Sequence, residues 1–120
     1  METLFVIGRI VLGALAVFAG FSHLLHISNM AMMAKMNKVP APKLVVFVTG
    51  IGLMLSGLGV AFWVYIEISF WFLAIFFALA AFWIHRFWTK KKGHERMEHM
   101  HYFMGNMMLV GLLLIMLVVI

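Results

Sequence analysis

The chain has 120 residues, 66% of them hydrophobic and 11% charged, where a soluble domain carries about 45–50% apolar and about 25% charged residues. That polar surface cannot cover a water-soluble globule, which excludes a soluble enzyme, a disordered tail and a nucleic-acid-binding domain despite the net charge of +5. Cys, Asp and Gln are absent, so the chain has no disulfide, thiolate nucleophile or cysteine-held cluster of its own. No phosphate-binding loop, dinucleotide fingerprint or nucleophile elbow is present.

Four apolar stretches, each near the roughly 20 residues that a bilayer-spanning helix needs, predict an all-α, integral membrane four-helix bundle forming a single domain. The first span covers 4–27 and is apolar except for Arg9 and two histidines at its far end. No positive segment precedes it, so a cleaved leader is not expected. Residues 28–43 read as a loop with one interfacial turn around 29–38, stopped by Pro40. The second and third spans, 44–65 and 68–88, form a hairpin whose only intervening charge is Glu67. A basic loop, 89–99, leads to the last span, 100–120.

With four spans, both long loops lie on one side. Eight of the nine Lys/Arg residues fall there: Lys35, Lys38, Lys43, Arg86, Lys90, Lys91, Lys92 and Arg96. The positive-inside rule makes that side cytoplasmic and places both termini outside. Trp63, Tyr65 and Trp71 mark one interface, and Trp83, Trp88 and Tyr102 the other.

Within lipid, helices pack through small residues, and polar side chains turn away from the acyl chains. Arg9, Gly13, Ala16, Gly20 and His23 form one helical stripe, and Thr49, Gly52, Ser56 and Gly59 a second. Ala74, Ala78, Ala81 and His85 form a third; His99, Phe103 and Asn106 share a face of the last helix, with Tyr102 beside them. Packing alone explains such stripes on base rates. Arg9 lies six residues inside Thr3, about 9 Å along the axis. Two solutions stay open for it: snorkelling to the near interface, or an intramembrane ion pair with Glu67, which the shared stripe favours.

All six histidines, His23, His26, His85, His94, His99 and His101, fall at the basic side. Convergence of His23, His85 and His99 would suit hydrogen bonding to a quinone carbonyl and proton relay, or ligation of haem or a metal. Interfacial histidines wetted by headgroups are the bland alternative. Methionines Met30, Met32, Met33 and Met36 in the first loop, and Met97, Met100, Met104, Met107 and Met108 near the last histidines, suit either Cu(I) or simple gap-filling. Any metal set at this end would draw on His94, His99, His101, Met97 and Met100, and a carboxylate site lacks acidic ligands from other helices.

Arg9, Leu12–Gly13, Phe18, Gly20 and Phe21, then Val39–Pro40–Ala41–Pro42 after the Met-rich loop, the glycine-rich run Thr49–Gly59, and His85–Arg86–Phe87–Trp88 followed by Met100, Phe103, Asn106 and Gly111 together resemble the pattern of the DoxX family. The similarity extends over almost the whole chain. It implies a small four-helix membrane protein tied to thiosulfate:quinone oxidoreduction or to sulfur and thiol stress, acting with redox partners. Arg86 stands where that family usually has Asp, and Gly105 where it has Lys; if that pair ties the third and fourth helices in relatives, the tie is lost here.

The expected function is therefore that of a membrane subunit of a quinone-linked oxidoreductase, without catalytic autonomy. Candidate quinone or partner contacts are His23, His85, Arg86, His99 and Asn106, and Lys90, Lys91, Lys92 and Arg96 would meet lipid headgroups or an acidic partner. Expected partners are the bilayer, other membrane or cytoplasmic redox subunits, and further copies of the chain. The alternatives are a non-catalytic assembly or anchoring protein, and a haem- or copper-binding membrane protein.

Overall fold

A computed structural model describes residues 2–120, and these are all-helical. In order, the elements are α1 (Glu2–Leu25), α2 (Ile27–Met36), α3 (Pro42–Phe62) and α4 (Ile66–Leu79). A π-helical turn (Ala80–Ile84), a 3-10 turn (Phe87–Thr89) and α5 (His94–Val119) complete the chain. Four helical segments, Glu2–Leu25, Pro42–Phe62, Ile66–Thr89 and His94–Val119, are long and apolar enough to cross a membrane. Their outer faces carry Leu15, Phe18 and Val118, which are 65%, 73% and 86% exposed. Such faces suit a lipid solvent, as in a multi-pass membrane protein.

The expected first loop is largely helical. Only His26 interrupts the chain between α1 and α2, and Met32, Met33 and Met36 are exposed on α2 while Ala34 is buried. Lys38 and Ala41 then take left-handed backbone conformations around Pro40, and Pro42 opens α3, where its missing N–H costs nothing. The second loop also shrinks, because α5 begins at His94 rather than near 100.

Contacts divide the chain into two compact units that meet in sequence between Phe72 and Leu73. In the first unit α1 and α3 pack antiparallel with their backbones in contact. A Cβ built on Gly13 would lie 2.5 Å from the Gly57 carbonyl oxygen and 2.7 Å from Ala61 Cβ. One on Gly57 would lie 2.6 Å from the Gly13 oxygen, and one on Gly50 would lie 2.9 Å from His23 Cβ. Gly20 meets the Gly50 carbonyl and Met54 in the same way. The α1 stripe through Gly13, Ala16 and Gly20 is thus buried as expected.

On α3 the face toward α1 is Gly50, Met54, Gly57 and Ala61. The stripe expected from sequence, Thr49, Gly52, Ser56 and Gly59, points elsewhere. Gly52 sits against the Phe72 ring, Gly59 against Ser69 and the Val64 carbonyl, and Thr49 bonds back to the Val45 carbonyl at 2.7 Å. Helix α3 therefore has two small-residue faces, one for α1 and one for the start of α4.

A Schellman motif closes α3: Val64 N–H donates to Gly59 O at 2.9 Å and Trp63 N–H to Val60 O at 3.2 Å. Its left-handed position is filled by Trp63 (φ 58°) instead of glycine. Edge-on contacts from Phe5 at 4.5 Å and Phe70 at 5.9 Å hold that indole, and such contacts offset a backbone cost of about 1–2 kcal/mol.

Gly8, Gly105 and Gly111 have open space where a Cβ would be, which supplies internal controls. Gly20→Leu and Gly57→Leu are expected to destabilise the protein by at least about 2 kcal/mol in mild detergent, as overpacking does. Gly8→Leu and Gly111→Leu should unfold near the wild-type temperature. Equal melting curves for Gly20→Leu and Gly8→Leu would remove the α1–α3 contact as the organising one.

Candidate functional site: a histidine pair at a helix break

The second unit contains the polar site. Helix α4 loosens at its end, where His85 N–H donates to Ala80 O at 3.1 Å, a bond of π type spanning five residues. A π turn carries about one residue more than the α-helical turn, which rotates the residues after it by about 100°. The chain then reverses through an inverse γ-turn centred on Arg86 (φ −77°, ψ 78°). There Phe87 N–H reaches His85 O at 2.9 Å. The 3-10 turn comes next, with Thr89 Oγ1 donating to Arg86 O at 2.7 Å. Gly93, at φ 126° and ψ −153°, occupies a region essentially restricted to glycine and releases α5.

This sequence of turns brings His85 to α5. Its Nδ1 lies 3.1 Å from Nδ1 of His99 in a part-buried hydrogen bond. One ring must donate and the other accept, so the pair holds a single proton between its two Nδ1 atoms. Tyr102 packs beside both rings, at centroid distances of 5.1 Å from His85 and 6.3 Å from His99. A second cluster supports the turn: Phe103 meets Phe82 at 5.1 Å and both Phe87 and Trp88 at 5.5 Å, all edge-on. These aromatic contacts lock the 3-10 turn to the same face of α5 that carries His99. Asn106, half-buried, continues that face toward Val110 and Leu113, which are buried.

The other expected contacts have surroundings of their own. His23 belongs to the first unit, where its Nδ1–H donates to the Ala19 carbonyl at 2.9 Å. His94 pairs with Glu98 at 3.3 Å on the exposed surface of α5, an i, i+4 contact worth little. With His99 turned to His85 and His101 exposed, no group of three His or Glu side chains converges on a metal position among the described residues. Lys91 and Lys92 are exposed, while Lys90, Arg96 and Arg86 are half-buried.

The Arg9–Glu67 ion pair is not formed. Arg9 is turned one helical turn toward the N-terminus, with its guanidinium 5.4 Å from the centroid of the Phe5 ring, the direction that snorkelling requires. Glu67 is exposed in the first turn of α4, where the helix N-terminus already favours a carboxylate. Near that turn, an apolar groove of about 580 Å³ runs along α3 and α4 and is floored by Ser56 and Ser69. The sequence reading missed this groove; the Gly52–Ser56–Gly59 stripe that forms its wall was its visible trace.

The chain matches no known protein family, no curated protein and no solved structure.

A double-mutant cycle tests the histidine contact. His85→Ala and His99→Ala are each expected to lower stability, with a coupling of about 0.5–1.5 kcal/mol between them. Strict additivity in thermal unfolding would mean that the two rings do not share a bond.

Proposed function

We propose that the chain is a membrane subunit of a quinone-linked oxidoreductase and that the His85–His99 pair contacts the quinone headgroup. The single observation behind this reading is the 3.1 Å Nδ1–Nδ1 contact at the end of a membrane-spanning segment. It gathers two imidazoles and the Tyr102 ring where a lipid-soluble ring would meet the interface. Bound quinone would supply two-electron, two-proton redox chemistry. The chain's own part is to orient the headgroup and handle protons. An imidazole N–H donates to a carbonyl oxygen, and the second imidazole, joined through Nδ1, replaces the proton given up while taking one from water at its own Nε2.

Three further features favour the reading. Helix distortions of π type recur at functional sites, and here one aims His85. The residues fit proton transfer, while the absence of Cys leaves electron delivery to partner subunits. The resemblance of Arg9–Phe21, Thr49–Gly59 and His85–Trp88 to the DoxX family points to a sulfur or thiol redox setting. An assembly role would have to use another face than Gly13 and Gly20, since α3 already occupies both.

The same proposal places the basic loops in the cytoplasm and both termini outside. The cysteine-free sequence makes this directly measurable. Lys91→Cys is expected to react with an impermeant maleimide only after the inner face is exposed, and Tyr65→Cys in intact cells; the reverse pattern inverts the topology. For the site, an azido-quinone should label the 82–103 segment of protein purified in mild detergent. Excess quinone should protect that segment, and His85→Phe should reduce labelling about tenfold, the loss of one good hydrogen bond. Undiminished labelling of His85→Phe, with no quinone retained by the wild type, would end the quinone reading.

A further inference from the structure

Arg86 poses a problem that the histidine pair does not solve. Its Nε is buried and has no hydrogen-bond partner, although a guanidinium presents five donors and is always charged. Arg9 carries the same orphan atom, but its charge lies over the Phe5 ring. Glu98 is engaged by His94 and Glu95 is exposed, and neither is paired with Arg86. Withholding a donor from water without giving it an acceptor is unfavourable.

The surroundings indicate what the missing acceptor is. Arg86 lies three residues from the end of the span that closes at Thr89, level in sequence with Trp88, which is the depth of headgroup phosphates. Lys90, one short turn later, is half-buried, whereas Lys91 and Lys92 are exposed. A planar fork plus a point charge is the donor set that suits tetrahedral phosphate oxygens.

We propose that Arg86, assisted by Lys90, is a binding site for a phosphate group at the basic end of the span. Lys91, Lys92 and Arg96 contribute only general surface potential. The site stands without the quinone reading. A lipid headgroup and a free phosphate share the chemistry, and depth in the membrane favours both over the carboxylate of an acidic protein.

Thermal unfolding of the full chain in mild detergent separates the cases. Phosphatidylglycerol is expected to raise the Tm and phosphatidylcholine to do so much less. Arg86→Gln should weaken the phosphatidylglycerol effect about tenfold in midpoint concentration, with Arg86→Lys in between and Lys91→Gln/Lys92→Gln close to wild type. Inorganic phosphate that reproduces the effect in an Arg86-dependent manner supports the site with a soluble ligand; phosphate without effect supports it with a lipid. If the double lysine variant loses as much as Arg86→Gln, the interaction is diffuse and the proposal is overturned. Retention of an acidic protein in place of phosphate, lost in Arg86→Gln, overturns it equally. Should Arg86→Gln fail to fold, Lys90→Gln must still weaken binding about threefold, and an unchanged midpoint refutes the site.

Discussion

Lipid offers two helices no hydrophobic reason to associate, because the acyl chains are as apolar as their side chains. What remains is close contact, and in this chain it is concentrated where α1 meets α3. Gly13 faces Gly57 and Gly20 faces Gly50 with carbonyl oxygens where side chains would be. The two pairs lie seven residues apart on each helix and fix an antiparallel register, since a slip by one residue would drive a side chain into backbone. The hairpin to α4, the seat of Trp63 against Phe5 and Phe70, and the groove along α3 and α4 all hang on that register.

The second unit uses a different device. Here the backbone gives up α-helical geometry at Ala80–Ile84 and reverses at Arg86, and Phe103 with its ring neighbours holds the distortion in place. A regular helix would carry Ala74, Ala78, Ala81 and His85 along one stripe. The π turn keeps Ala74 and Ala81 buried yet re-aims His85 onto His99. Departures from ideal geometry persist where surrounding contacts over-determine them, and they are found disproportionately where a polar group has a task.

Much of this was legible in the residues alone. The stripe Arg9–Gly13–Ala16–Gly20–His23 follows from helical periodicity, and so does the face shared by His99, Phe103 and Asn106. Less visible was which of two interleaved glycine patterns on α3 meets which neighbour. Gly50/Gly57 and Gly52/Gly59 have the same spacing, and only the partner's own small residues decide between them. The ten-residue helix α2 hid in a stretch whose polarity resembles a loop, since an interfacial helix needs no long apolar run. The Arg9–Glu67 pair failed because charge balance says nothing of direction. Arg9 leans toward its own N-terminus, as helical side chains do, and Glu67 already has a helix dipole and exposure.

The division of polar residues between the two units bears on how such a protein would work. The fully buried polar residues of the first unit are small hydroxyls, Ser56 and Ser69; its histidine at the corresponding end, the half-buried His23, bonds to its own helix. Ionisable side chains able to exchange protons at membrane depth in the second unit are His85 and His99, and they touch each other. On the proposed reading the two contacts share one turn: a phosphate held at Arg86 would brace the chain reversal that aims His85 at His99, so the group that seats the helix end would also hold the pair in place.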